Sequence, residues 1–232
     1  MKDEGRRTKD GSSYPSSFVL RPSSRSTTMD YLINSFDRVW PRLVEHLYLS
    51  SVSLLIAVLI ALPLGLLLSR QPRLATPVLT VLGIIYTIPS FALFAFLVTV
   101  PFIGIGAPTA IVALTAYALV VLVRNTTVAF NGVERAVKEA AVGMGMDSRQ
   151  VLLRIEVPLA LPVIVAGLRI GALSTIGLAT IAAWVGGLGL GQLLKDGINN
   201  ESKLYAGIIC IAGIAILTDL AFRLVERTVR VP

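Results

Sequence analysis

From Leu74 to Val123 the chain carries no Asp, Glu, Lys or Arg, and from His46 to Ser69 it again carries none. Each run exceeds the ~20 apolar residues that an α-helix needs to cross a bilayer. With 54% of its 232 residues hydrophobic and 15% charged, the chain exceeds the apolar share of an ordinary soluble domain. These runs predict an all-α integral membrane protein with about five spans.

The spans fall at about 46–69, 75–100, 108–123, 159–184 and 204–225. Arg70-Gln71-Pro72-Arg73 reads as the turn after the first, and Pro89 as a kink inside the second, tolerable where neighbours satisfy the freed carbonyl. Before the spans, residues 1–28 are rich in Ser, Thr and charge and read as a disordered extension. Residues 29–45 mix aromatics with charges, as an interfacial segment does. His46, the only histidine, reads as an anchor at the start of span one rather than a ligand. A lone Cys210 supports neither a disulfide framework nor a thiolate metal cluster.

The net charge of +7 sits in the gaps between spans and in the first 45 residues. That is the pattern of membrane topology, not of a nucleic-acid face. Arg70 and Arg73 stand in one loop, residues 101–107 are uncharged, and residues 124–156 hold five bases. Basic loops alternate with neutral ones, so the 133–158 loop and the C-terminus are expected in the cytoplasm and the N-terminus outside. Residues 1–28 carry six bases against three acids on that outer side, which favours Met29 as the start of translation.

Between spans three and four lies EAAVGMGMDSRQVLLRIEVP, residues 139–158, a polar island in an apolar chain. Val133, Val137, Ala140, Ala141 and Met144 recur at helical spacing. Gly143 and Gly145 supply the backbone freedom that ends a helix. Asp147 with Gln150 three residues on has the form of a capping box, so a second helix begins there. Val151, Leu152 and Ile155 give it an apolar face, and Pro158 marks the break into span four. Two short helices hinged at glycine suit a partner's groove, and Glu139 offers that partner a negative charge. The plainer alternative is a connector resting on lipid headgroups.

Glu139, Ala140, Ala141, Gly145, Ile155 and Pro158 fit E-A-A-x3-G-x9-I-x-x-P without a gap. The segment resembles the EAA coupling loop of type I ATP-binding-cassette importer permeases, with Gly143 inside it. YTIPSFALFAFL (86–97), GIGAPTAIVALTAYALVVLVRNT (104–126) and EVPLALPVIVAGLRIGALSTIGLATIAAWVGGLGLG (156–191) further resemble the permeases of osmoprotectant uptake systems. The resemblance runs from about Met29 to the C-terminus. Val120-Val121-Leu122 stands where Leu-Pro-Ile is more usual, and residues 1–28 have no counterpart.

The resemblance implies a MetI-like transmembrane type-1 domain over 46–228 in a bacterial or archaeal plasma membrane. It implies three kinds of partner: cytoplasmic ATPase subunits, an extracytoplasmic substrate-binding protein, and a second permease copy or paralogue. It implies import of glycine betaine, choline or carnitine, no catalytic residue or metal in this chain, and ATP and Mg on the partner. The chain has no G-x-x-x-x-G-K-[ST] loop to cradle a phosphate. Rival readings are the same machine for methionine or another amino acid, and a non-transporting scaffold or sensor.

Gly186 to Gly191 follows a span without any strand, so it is expected to be a flexible outer turn rather than a nucleotide loop. Gly167, Gly171 and Ser174 fall on one stripe of span four, for packing inside the chain or between two copies. Arg169 lies deep in span four and needs a partner or a path to the surface. Asp219 and Arg223 are spaced to pair with each other. The aromatics Tyr86, Phe91, Phe94, Phe96, Tyr117 and Trp184 show no cage in their spacing.

Overall fold

The computed structural model describes residues 28–229 except Gly187. The disorder expected of the N-terminal extension therefore lies, but for Thr28, outside the described residues. All regular structure among the described residues is helical. A short α1 (Thr28–Asn34) leads into α2 (Phe36–Arg70), followed by α3 (Pro72–Thr87), α4 (Ser90–Val98) and α5 (Ala107–Asn131). After α6 (Arg135–Gly143) and α7 (Ser148–Val151), a π-helical turn (Leu152–Glu156) opens into α8 (Val157–Leu178). A 3-10 turn joins α8 to α9 (Ala182–Gly186), and α10 (Gly191–Asp196) precedes α11 (Glu201–Val229).

The first span is longer than its apolar run. At ~1.5 Å per residue the 35 residues of α2 extend about 52 Å, well beyond a ~30 Å hydrocarbon core. Much of the expected interfacial segment is thus the first three turns of the spanning helix. His46 is not an interfacial anchor. Its ring is fully buried, with Nε2 3.0 Å from the carbonyl of Ile176 on α8.

The second span departs most from expectation. The helices α3 and α4 meet at 90°, so Pro89 breaks the span instead of kinking it. Among the described residues four helices are long and apolar enough to cross a membrane, and the spans number five if the bent pair counts as one. Steric conflict with the proline ring drives the preceding residue out of the α region. Ile88 accordingly takes φ −64°, ψ 127°, and Pro89 itself ψ 130°, which turns the chain. The carbonyl this frees at Ile88 accepts a hydrogen bond from the Tyr117 hydroxyl of α5.

Side-chain register fixes the bundle. Ser53 meets Ile111 and Thr115, while Gly65 meets Thr126 and Thr127, so α2 and α5 run parallel. Helix α8 runs against both, and α11 against α8. Small residues set these distances. A methyl at Gly167 would stand 2.6 Å from Asn125 Cβ, and one at Gly171 would stand 3.1 Å from Leu122 Cδ2. The two glycines of the stripe therefore pack against α5 inside one chain, while Ser174 is half-buried. Among the described residues four apolar clusters fill the interior, centred on Leu49, Phe94 and Leu114, on Ala57, Ala61 and Leu122, on Phe130, Ala160 and Ile164, and on Val39, Leu190 and Leu193.

Gly187 lies outside the described residues, but Gly186, Gly189 and Gly191 are tightly packed rather than in a loose turn. Gly189 has φ +72° against His46, and its N–H donates to Glu45 over 3.0 Å. A Cβ at Gly186 would meet the Gly106 backbone at 2.7 Å.

Candidate functional site

The loop between α5 and α8 is built as its sequence dictates, with three corrections. Helix α6 begins at Arg135 rather than Val133, and Val133 is buried under the bundle. Gly143 is the last helical residue, and the left-handed step falls on Gly145, φ +84°. Around it the Gly145 N–H donates to Val142 and the Met146 N–H to Ala141, the paired bonds of a Schellman cap. Asp147 and Gln150 close the expected capping box, each side chain bonding the other's backbone N–H.

The third correction concerns Pro158, which does not break the chain. Helix runs on from Ser148 to Gly186. A proline cannot donate to the carbonyl four residues back and its ring crowds that carbonyl. The turn before it widens to π geometry, with the Val157 N–H donating to Leu152, which makes room for the ring.

The expected site residues divide into two sets. Ala141 is 1% exposed and seats the helix, while Ile155 and Pro158 are half-buried at the root of α8. Glu139, Ala140, Gly143 and Gly145 are exposed. Val142 and Met144 join them, and Met144 is 71% exposed, so an apolar tip projects from a polar loop. Glu139 is not an unaccompanied charge. Arg135 Nε lies 2.7 Å from its Oε1, a surface pair of one helical turn with a stability contribution of about 0.3–0.5 kcal/mol.

Sequence reasoning passed over Glu156. Its side chain is 2% exposed, 2.5 Å from Arg70 Nη2 at the end of α2 and 3.6 Å from Lys138 Nζ on α6. Lys138 also reaches the Phe130 carbonyl at the end of α5, 3.4 Å away. One buried carboxylate therefore ties α2, α6 and α8 together where the loop meets the bundle. Its signal was a lone acid beside Pro158, opposite a turn whose only charges are basic.

Deeper in the bundle, Arg169 finds its partners. Nε lies 2.5 Å from Asp219 Oδ1 and Nη1 lies 3.4 Å from Glu226 Oε1, both on α11. Arg223 pairs with Asp219 as its spacing predicted, at 2.7 Å, but shares that carboxylate with Arg169. Among the described residues no group of His, Cys, Asp or Glu is placed to hold a metal ion. Of the aromatics in the spans, Tyr86 and Tyr117 meet edge to face at 5.9 Å.

A broken-helix bundle of apolar spans, carrying a two-helix loop with an apolar tip and an ion-paired root, is the architecture of a multi-span membrane protein. The chain belongs to the family of binding-protein-dependent transport system inner membrane components, whose model matches residues 53–231. The carnitine transport permease protein OpuCB of Listeria monocytogenes is 34% identical to it over 193 residues, 80% of this chain and 88% of that protein. The glycine betaine/carnitine/choline transport system permease protein OpuCB of Bacillus subtilis (strain 168) is 36% identical over 187 residues, 80% of this chain and 85% of that protein. Among solved structures, the MetNI methionine ABC transporter in an inward-facing conformation matches with a TM-score of 0.77 at 23% identity. That match covers 85% of this chain and 99% of the other, a likeness of fold alone. The expected all-α, MetI-like permease fold is the one found.

Proposed function

We propose that this chain is the pore-forming permease of an ATP-driven importer of quaternary ammonium osmoprotectants, glycine betaine, carnitine or choline among them. The observation that carries the substrate class is the identity with permeases named for those solutes over four-fifths of the chain. Family membership implies ATPase subunits, a substrate-binding protein and a second permease, with hydrolysis performed by the ATPase. In this reading the loop end of the bundle faces the cytoplasm of a plasma membrane, because Arg70, Arg73, Arg135, Lys138, Arg149 and Arg154 cluster there.

The docking surface is the exposed side of α6 and the tip after it, with Glu139, Ala140, Val142 and Met144 facing the ATPase. Ala141, Ile155 and Pro158 hold that surface against the bundle. When two ATPases close on ATP, the push reaches α6. The Glu156 cluster carries it to the ends of α2 and α8, so the spans move as a unit. ATP and Mg stay on the partner.

Uptake of radiolabelled glycine betaine, carnitine, choline and methionine, in cells expressing the permease with its partners, tests this reading. Uptake of at least one quaternary ammonium solute is expected, abolished when the ATPase is inactivated. Uptake of methionine alone would replace the substrate class and leave the machine unchanged.

A further inference from the structure

Helix α11 is pinned near its start. Its buried residues, Ala206 and Gly207, lie there, and a Cβ on Gly207 would press on Leu193 and Leu194 of α10 at 3.0 Å. Further along, α11 leans on α8. Among the described residues the polar ties between α8 and α11 are all made by one side chain, Arg169. The Glu156 cluster gathers α2, α6 and α8 and leaves α11 out.

Arg169 is gripped at two levels. Nε lies 2.5 Å from Asp219 Oδ1, and Nη1 lies 3.4 Å from Glu226 Oε1. Those two acids stand two helical turns, ~10 Å, apart along α11. The Asp219 bond is closed and the Glu226 contact is slack. Asp219 is also paired on its other oxygen, with Arg223 Nε at 2.7 Å. Two cations and two carboxylates make a neutral quartet, which suits a place ~20 Å along α8 from Glu156, within the span. One pair would already be neutral. The second pair adds an exchange: if Arg169 leaves Asp219 for Glu226, Asp219 keeps Arg223 and no charge is stranded. A stranded charge is what makes a secluded ion pair hard to part. The exchange needs a shift far smaller than one ~5.4 Å turn, because the Glu226 carboxylate is already within reach of Nη1.

Helix continues from Ser148 in the loop through Arg169 to Gly186, so a push at the loop is carried ~30 Å to the guanidinium. Resting on the import reading above, in which the loop receives the ATPase, we propose that Arg169 is a coupling residue with two seats on α11. In the structure it is closed on Asp219. Displacing α8 toward the loop end relative to α11 hands it to Glu226, and the return stroke hands it back. Arg169 is a positioning group: it sets which of two α8–α11 registers holds and touches no solute. Two discrete seats make the joint bistable, as a switching element has to be.

The test follows the α8–α11 register in the whole importer, permease with ATPase and binding protein, in proteoliposomes. Spin labels go on Ser148→Cys and Leu220→Cys, both exposed positions, in a Cys210→Ser background. Labelled permease is diluted with unlabelled, so that electron–electron resonance reads the distance within one copy. That distance is expected to lengthen from the nucleotide-free state to the ATP–vanadate state. Asp219→Asn moves the nucleotide-free population toward the long distance, and Glu226→Gln keeps the short one even with ATP. Glu226→Gln also lowers uptake per ATP hydrolysed roughly tenfold, and Glu226→Asp restores part of it. An unchanged or shortened distance in the native chain overturns the proposal, whatever the variants do. Asp219→Asn and Glu226→Gln shifting it in the same direction makes the quartet a structural brace and overturns it too. Distances that change as expected, without uptake of any quaternary ammonium solute, fault the import reading alone.

Discussion

At the scale of single residues, a buried charge matters through what stands beside it. Glu156 is surrounded by protein, whereas Arg70 is 52% exposed and can return to water. The two sides of the pair are therefore unequal. Arg70→Ala strands a buried carboxylate with only Lys138 near it, while Glu156→Gln removes the charge and leaves the arginine solvated. Arg70→Ala should destabilise the permease by on the order of 2 kcal/mol, a buried-pair loss discounted for the arginine's exposure. Glu156→Gln should cost less, and the double variant should be more stable than Arg70→Ala alone. Thermal unfolding of the three variants in detergent checks the order. A double variant no better than Arg70→Ala would show that the carboxylate is not the stranded group. Glu156 escaped sequence reasoning because burial is not a property of one residue's type. The Arg169 pairing was legible only as a need for a partner, because Glu226 and Asp219 come near it through the α8–α11 contact.

At the scale of elements, local chemistry wrote the caps of the α6–α7 loop almost completely. The capping box and the glycine stop act between residues a few positions apart, so their signals survive without tertiary context. Sequence could not say which of two glycines takes the left-handed step. The structure gives it to Gly145, φ +84° with open space around it, and leaves Gly143 helical with nothing near its missing side chain. Gly145→Ala should then strain the hinge by about 1–2 kcal/mol. Gly143→Ala should be neutral or stabilise α6, by up to ~1 kcal/mol. Co-purification of ATPase subunits with each variant provides the check, with a drop expected for Gly145→Ala alone. Equal retention by both would remove the hinge from the docking account. Pro89 and Pro158 show the opposite limit. Each reads as a disturbance, but whether it yields a 90° break or a π turn depends on what the neighbours can satisfy. At Pro89 a tyrosine from α5 takes the freed carbonyl. At Pro158 the preceding turn widens instead.

At the scale of the whole molecule, the ends of the bundle are distinguishable and their sidedness can be measured. Ser148 at the start of α7 is exposed, and Phe102, between α4 and α5 at the other end, is 98% exposed. In a Cys210→Ser background, Phe102→Cys should react with an impermeant thiol reagent in intact cells, and Ser148→Cys only after permeabilisation. Labelling of Ser148→Cys in intact cells would invert the proposed orientation. Phe102 suits this experiment because substitution there displaces no packing, unlike the glycines that press on His46 and Thr180. The most apolar stretch of α11 has no residue buried within the chain, so lipid or a second subunit covers it in the assembled importer. The sequence by itself determined the all-α class, the number and order of the apolar stretches, the basic end and the caps of the α6–α7 loop. Hydropathy, charge and capping act along the chain and leave their marks there. Only the tertiary structure decided that the glycine stripe packs inward, that the second span is broken, that Glu156 joins three helices and that Arg169 meets two carboxylates of α11. Those outcomes depend on which residues distant in sequence are brought within a few ångströms, and one-dimensional pattern holds no record of that distance.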